Sequence, residues 1–366
     1  MTTNLAGSAT EPSSKLAAVI AAAIEDDVVA RGWPVGELLG SEADLLEHYD
    51  VSRAVLREAI RIVDHAGVAR MRRGPGGGLF VTEPDRRSVA TAASVWCSYV
   101  GVTKTELCDA YEPLKTRMRS GNPAIALFAE VLELVMAPVD GNGSAALGER
   151  LAVTIRDDIA HDGWRVGEVI GSEPELLARY DASRVAFREA VRLLEHHRVV
   201  RMRQGPGGGL VVTAPDASSV VRAAELVLAF TGVRTRDLLE ARRTLELAAV
   251  RLAAERCDSS GAAALREALE GERTAKGRRL RVAFHEVHRA IARVCGSRPI
   301  SLFVDVLTDL TERDAATHQI YRREELEKVK GSVRHAHEAI VDAVTSGNAA
   351  LAQRRMLRHL EVLLGE

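Results

Sequence analysis

Apolar positions along this chain recur mostly at helical spacing, and polar or glycine-bearing stretches break the pattern into separable elements. Residues 15–30 form a first apolar helix that ends at Gly32. A short helix opens at "SEAD", where Ser41 can accept from the free amides of the first turn and Asp44 can reach back, a capping box. A turn at "YDVS" leads to a longer helix capped by Ser52, with Leu56, Ala59, Ile60 and Val63 on its buried side. Its other side carries Arg53, Arg57 and Arg61, spaced four apart and nearly above one another. Two extended runs follow, "VARMRR" and "GLFVT", joined by "GPGGG". Glycine tolerates the positive φ that a tight turn needs, so the runs predict a β-hairpin. Helix, helix, turn, helix, hairpin is the order of a winged helix-turn-helix.

The whole pattern is then written again. Residues 33–85 align without a gap to residues 164–216 at a constant offset of 131, with 32 identities in 53 positions. The second copy has its own apolar helix at 149–160, a capping box at "SEPE" (Ser172, Glu175), a helix capped by Ser183 with Arg184, Arg188 and Arg192, and the same "GPGGG" turn. This predicts a duplicated domain. After the second copy nearly everything is helical pattern, with turns at "TGVRT", "DSSG", "GSRP" and "SGN". After the first copy, "YVGVTKTELCDAYEPLKT" matches "FTGVRTRDLLEARRTLEL" at the offset of 131, while "GNPAIALFAEVL" matches "GSRPISLFVDVL" at 175. The difference, 175 − 131 = 44 residues, is missing from the first copy. The expected organisation is a disordered N-terminus (1–14), a first winged helix-turn-helix (15–85), a truncated helical remnant of two or three helices (86–136), a linker "APVDGNGSAA" (137–146), a second winged helix-turn-helix (147–216) and an all-helical domain (217–366). The fold class is mainly α.

Length agrees with this division, since 366 residues exceed one ordinary core. Hydrophobic residues at 46% and charged residues at 27% fit folded domains, and aromatics at 4% fit helices packed through aliphatic side chains. A net charge of −2 excludes a protein that is basic throughout, yet residues 53–73 hold six arginines against Glu58 and Asp64, and residues 184–204 repeat that balance. The four cysteines, Cys97, Cys108, Cys257 and Cys295, form no CxxC pair, which fits a reducing cytosol. No signal peptide is visible, and "KLAAVIAAAIEDDVVA" is too short to span a bilayer, so the expectation is a soluble cytoplasmic protein without a membrane partner.

One arginine stripe reads equally well as a solvated helix face. Recurrence of stripe, cap and hairpin together favours double-stranded DNA, with first-turn arginines at base edges and the wing arginines, Arg72, Arg73 and Arg203, on phosphate. A phosphate loop at "GPGGG" is disfavoured, because no Gly-Lys-Ser/Thr and no helix follow it. The stretch "LLGSEADLLEHYDVSRAVLREAIRIVDHAGVARMRRGPGGGLFV" resembles the DNA-binding domain of GntR-type bacterial transcription regulators, and the resemblance covers residues 15–85 and 149–215. It implies that Arg53 and Arg57, with Arg184 and Arg188, read bases. Arg73 and Gly74, with Gln204 and Gly205, would occupy the wing tip in the minor groove or on phosphate. Where some members carry an arginine after the Ser-Glu pair, this chain has Ala43 and Pro174. Arg198 stands where the first copy has Gly67, and Gln204 where it has Arg73, so the two copies are not equivalent.

The C-terminal region resembles the all-helical effector domain, FCD, of the FadR branch of that family, which binds small carboxylates and frequently a divalent metal held by one aspartate and three histidines. By that resemblance His288, His337 and His359 are candidate ligands for zinc or nickel. The expected aspartate is Phe284. Each histidine alone would usually be satisfied by backbone or solvent. Arg242 matches a residue near the family's effector pocket and could pair with a carboxylate; alone it would be an exposed helix arginine.

These readings imply a regulator of transcription, in the repressor sense, that binds an imperfect inverted repeat, responds to a small carboxylate and pairs as a homodimer. Two rivals differ in class. A metal-dependent enzyme would need a general base beside the histidines, for which Glu286 and Glu338 are weak candidates. An architectural DNA-binding protein would keep the helical domain only for pairing, with Phe284 marking lost sensing.

Overall fold

In the computed structural model the described residues are 11–137, 147–205, 207–318 and 323–364. The first unit runs α1 (Glu11–Ala30), β1 (Leu38–Gly40), α2 (Glu42–Tyr49), α3 (Arg53–His65), β2 (Ala69–Arg72) and β3 (Gly78–Val81). Both expected caps form: Ser41 and Asp44 make the reciprocal capping box of α2, and Ser52 Oγ accepts from the Val55 amide at the start of α3. The hairpin β2–β3 is extended by β1 into an antiparallel sheet of order β1-β3-β2. Gly78, at φ +155°, is pressed against β1 so closely that a Cβ would stand 2.6 Å from the Gly40 carbonyl oxygen. Ile24, Val28, Leu45, Leu56, Val63 and Leu79 close the core under this sheet.

Residues 147–212 repeat the element order as α7 (Leu147–His161), β4 (Val169–Gly171), α8 (Glu173–Arg179), α9 (Arg184–His196), β5 (Val200–Arg203) and β6 (Gly209–Val212), in a sheet of order β4-β6-β5. Left-handed backbone recurs at equivalent places, Trp33 with Trp164 and Asp50 with Asp181. The units differ in detail. Trp33 Nε1 donates to the Thr82 carbonyl, whereas Trp164 Nε1 is buried without a partner among the described residues.

Between and after the units lie α4 (Arg86–Val100), α5 (Lys104–Lys115) and α6 (Pro123–Met136), then α10 (Ser218–Phe230), α11 (Thr235–Arg256), α12 (Ser259–Thr274), α13 (Arg278–Val294), α14 (Arg298–His318), α15 (Arg323–Thr345) and α16 (Ala349–Leu364). The expected remnant is thus three helices, but not a body of its own: one continuous core joins Leu107, Leu114 and Phe128 to Leu245, Phe303 and Val344. The N-terminal expectation needs correction, because residues 11–14 belong to α1 and are helical; residues 1–10 and 138–146, the rest of the expected tail and nearly all of the linker, lie outside the described residues. Among the described residues no helix is long and apolar enough to cross a membrane.

Glu106 on α5 ties the remnant to α14. Its carboxylate accepts from Arg298 Nε at 2.7 Å and Nη2 at 2.6 Å and from the Thr103 amide, and these bonds, Arg298 first, hold its pKa down to about 2. An unfolded glutamate titrates near ~4.3, so this group stabilises the fold fully above that pH and loses its contribution as pH falls toward 2. Arg298 is 41% exposed, so screening reduces the contribution to about 1–2 kcal/mol. Arg298→Ala should lower stability at neutral pH by that amount and flatten the acid limb between those two values, as read by denaturant unfolding at a series of pH values. An unchanged acid limb would show that Glu106 is not the group responsible.

Candidate DNA-reading surface and histidine centre

The cap at Ser52 sets the start of α3 at Arg53, so Arg53 and Arg57 occupy its first turns. Both are exposed, at 69% and 65%, and share Glu42: Arg57 Nε lies 3.0 Å from Glu42 Oε1 and Arg53 Nε 3.6 Å. Such exposed pairs are worth at most about 1 kcal/mol, so an incoming phosphate or guanine can replace Glu42. Arg184 and Arg188 are likewise exposed at the start of α9, behind the Ser183 cap. At the first wing Arg72 stacks over the Phe80 ring at 4.3 Å, and Arg73 and Gly74 are exposed at the tip. At the second, Arg203 Nη2 donates to the Gly207 carbonyl at 2.6 Å, and Gln204 and Gly205 are exposed. Arg198 adopts φ 54° where Gly67 has φ 72°, and its guanidinium pairs with Asp216.

Arg61 and Arg192 are the third arginines of the two stripes. They pair with Glu58 and Glu189 within their own helices and line one cleft between the two units, which Arg57 and Arg70 also border.

The second site is buried. His288 on α13, His337 on α15 and His359 on α16 are 3%, 1% and 8% exposed. Their Nε2 atoms converge, at 3.2 Å for His288 to His337, 3.2 Å for His288 to His359 and 3.1 Å for His337 to His359. Carboxylates sit behind two of them: Glu246 Oε2 is 2.8 Å from His288 Nδ1 and Glu272 Oε2 is 2.7 Å from His337 Nδ1. An Nδ1–H directed at a carboxylate leaves the Nε2 lone pair facing the centre. Burial and the neighbouring imidazoles push His359 down to about 2, and burial lowers His288 as well, so these rings are neutral near pH 7. Burial alone would raise Glu246, but Arg242 and His288 outweigh it and hold its pKa well below the carboxylate range.

Three imidazole Nε2 atoms gathered around one point suit a divalent metal, since three nitrogens bound to one zinc ion stand roughly 3.3 Å apart. The residues present therefore fit a metal. Phe284, one turn before His288, packs its ring edge-on to His337 with centroids 6.1 Å apart and contributes no ligand. Arg242 is 1% exposed; its Nε donates to Glu246 Oε1 at 2.6 Å and its Nη2 lies 3.2 Å from His285 Nδ1. Glu246, Glu272 and His285 were not anticipated. Glu246, one turn after Arg242, carried a faint signal as an i,i+4 partner; Glu272 looked like any acid on an amphipathic helix.

Exposed arginines on the first turns of a winged helix-turn-helix mark a DNA-binding protein, and sequence relatives narrow the class to a regulator. Residues 16–81 match the family described as bacterial regulatory proteins, gntR family, and residues 237–362 match the FCD domain. The chain is 31% identical over 200 residues to the HTH-type transcriptional regulator LutR of Bacillus subtilis, covering 53% of this chain and 89% of that one. It is 23% identical over 218 residues to the Uxu operon regulator of Haemophilus influenzae, covering 58% and 78%. Among solved structures, a GntR protein of Streptococcus agalactiae aligns with a TM-score of 0.48 at 23% identity, over 60% of this chain and 99% of that one. The chain belongs to the GntR family and carries an FCD domain; it is a DNA-binding transcriptional regulator and not an enzyme. The gntR match is to the first unit.

Proposed function

We propose that residues 147–212 form a second DNA reader and that one chain places two unequal readers on an imperfect inverted repeat. The observation that carries this reading is the repetition of element order, sheet order, serine cap and exposed first-turn arginines in the two units. Arg53 and Arg57, with Arg184 and Arg188, meet base edges, and Arg72, Arg73, Gly74, Arg203, Gln204 and Gly205 meet the backbone or minor groove. Gln204 in place of Arg73 and Arg198 in place of Gly67 make the half-sites differ. Selection of bound duplexes from random sequence by the purified protein tests this: an imperfect inverted repeat is expected, with a salt dependence that counts phosphate contacts from both units. Recovery of unrelated sequences would favour the architectural reading.

His288, His337 and His359 would hold a zinc or nickel ion, which would supply a positive charge to attract a small carboxylate. Glu246 and Glu272 fix the ring tautomers. Arg242, buried against Glu246, positions that carboxylate rather than gripping the effector. A carboxylate that prefers one arrangement of the readers changes DNA affinity by the same coupling energy that DNA imposes on it. Phe284 favours a second reading, in which sensing is lost. Metal titration into chelator-treated protein separates the two: one ion per chain is expected, and no stoichiometric uptake would support the second.

A further inference from the structure

The helices that follow each unit cross over. Val95 and Tyr99 of α4, which follows the first unit, belong to the core of the second, where Tyr99 meets Trp164 edge to face at 5.3 Å. Leu226 and Phe230 of α10, which follows the second unit, belong to the core of the first, where Phe230 meets Trp33 edge to face at 5.7 Å. These are the same contact made twice, since Trp33 aligns with Trp164 and Tyr99 with Phe230 at the offset of 131.

The reciprocity continues through the helical core. Asn122 Nδ2 donates to the Asp237 carbonyl at 2.8 Å, and Ser297 Oγ donates to the Glu106 carbonyl at 2.9 Å. Asn122 aligns with Ser297 at the offset of 175, and Glu106 with Asp237 at 131. On the axis between them Phe128 stacks on its own counterpart, Phe303, with centroids 4.4 Å apart and planes 23° from parallel. Residue i touching j′ while j touches i′, with self-contact on the axis, is the signature of a two-fold interface between identical surfaces. Here both surfaces belong to one chain.

We propose that this chain is a complete dimer equivalent. Residues 86–136 occupy the face through which two effector domains would pair, so the regulator is a single chain in solution and on DNA. One histidine centre then governs both readers, and α10 carries its state to the reader farther away in sequence. A tethered partner competes at an effective concentration in the millimolar range, so a second chain does not displace it. The 44 residues missing from the first copy (175 − 131) include the counterpart of His288, so metal and effector bind once per chain, without cooperativity. This replaces the expected homodimer. The DNA stoichiometry rests on the reading of residues 147–212 as a second reader; the internal pairing does not.

Sedimentation equilibrium of the full chain, alone and with the selected duplex, is paired with hydrogen exchange of Phe230→Ala and Tyr99→Ala. The expected masses are one chain, and one chain per duplex. Phe230→Ala should speed exchange within residues 16–81 by roughly tenfold or more, and Tyr99→Ala within 147–212. The milder Phe230→Leu and Tyr99→Leu, expected to give smaller changes in the same places, serve if the alanine variants misfold. A dimer that persists on dilution, or exchange that rises in the unit adjacent in sequence, overturns the proposal. A monomer with the crossed exchange pattern that binds no specific duplex would sink the two-reader function while leaving the internal dimer standing.

Discussion

A His337→Ala variant is expected to take up no metal stoichiometrically and to lose about 3–5 kcal/mol of stability. His337 stands at the junction of two requirements. Its Nε2 faces those of both His288 and His359, and its Nδ1 lies 2.7 Å from Glu272, with His337 and Glu272 each 1% exposed. The other oxygen of Glu272 already lacks a hydrogen-bond partner among the described residues. Removing the imidazole therefore strands a carboxylate in the interior and opens a cavity beside Phe284. Denaturant unfolding measures the loss of stability, and metal analysis of the dialysed protein the loss of metal. His337→Gln keeps a donor for Glu272 and should recover part of the stability without recovering metal, which separates packing from ligation. In the unaltered protein, metal at a hundred times its dissociation constant should add about 2.7 kcal/mol, an increment the variant should not show. Retention of one ion per chain by His337→Ala would mean that this triad is not the ligand set.

The combined variant Arg57→Ala/Arg188→Ala should weaken binding to the selected duplex by roughly 2–6 kcal/mol, from about 1–3 kcal/mol for each side chain. Their present partners give little reason to expect compensation: Arg57 is 65% exposed and, among the described residues, paired with Glu42. The sites belong to separate units with separate cores, so the two losses should add. Each single change should also relax sequence preference at its own half-site. Equilibrium titration on the selected duplex and on half-site mismatches tests this. If Arg188→Ala alone left affinity and preference untouched, residues 147–212 would not be reading DNA.

Local signals in the sequence carried most of the two repeated units. Ser41 with Asp44, Ser52 and Ser183 announced helix starts through their chemistry, and the glycine turns announced the hairpins. The third strand of each sheet was not legible, because "LLG" and "VIG" are three residues long and pair with a bulge. Residues 11–14 were read as disordered because "EPSS" is polar, yet it forms the first turn of α1. The histidine centre spans three helices, with His337 49 positions after His288 and His359 22 positions after His337. No periodicity brings such positions together, and only the family resemblance did. Crossing was invisible for a deeper reason: the pattern shows that Tyr99 and Phe230 face inward, but a buried face looks the same whichever unit covers it.

Two reading units acting together on one DNA site is the central claim, and hydroxyl-radical footprinting of the selected duplex tests it most directly, at one chain per duplex, with the intact protein beside Arg188→Ala. The account predicts two protected half-sites related by an inverted repeat, with protection lost from one of them in the variant. A single protected half-site, unchanged by Arg188→Ala, would contradict it.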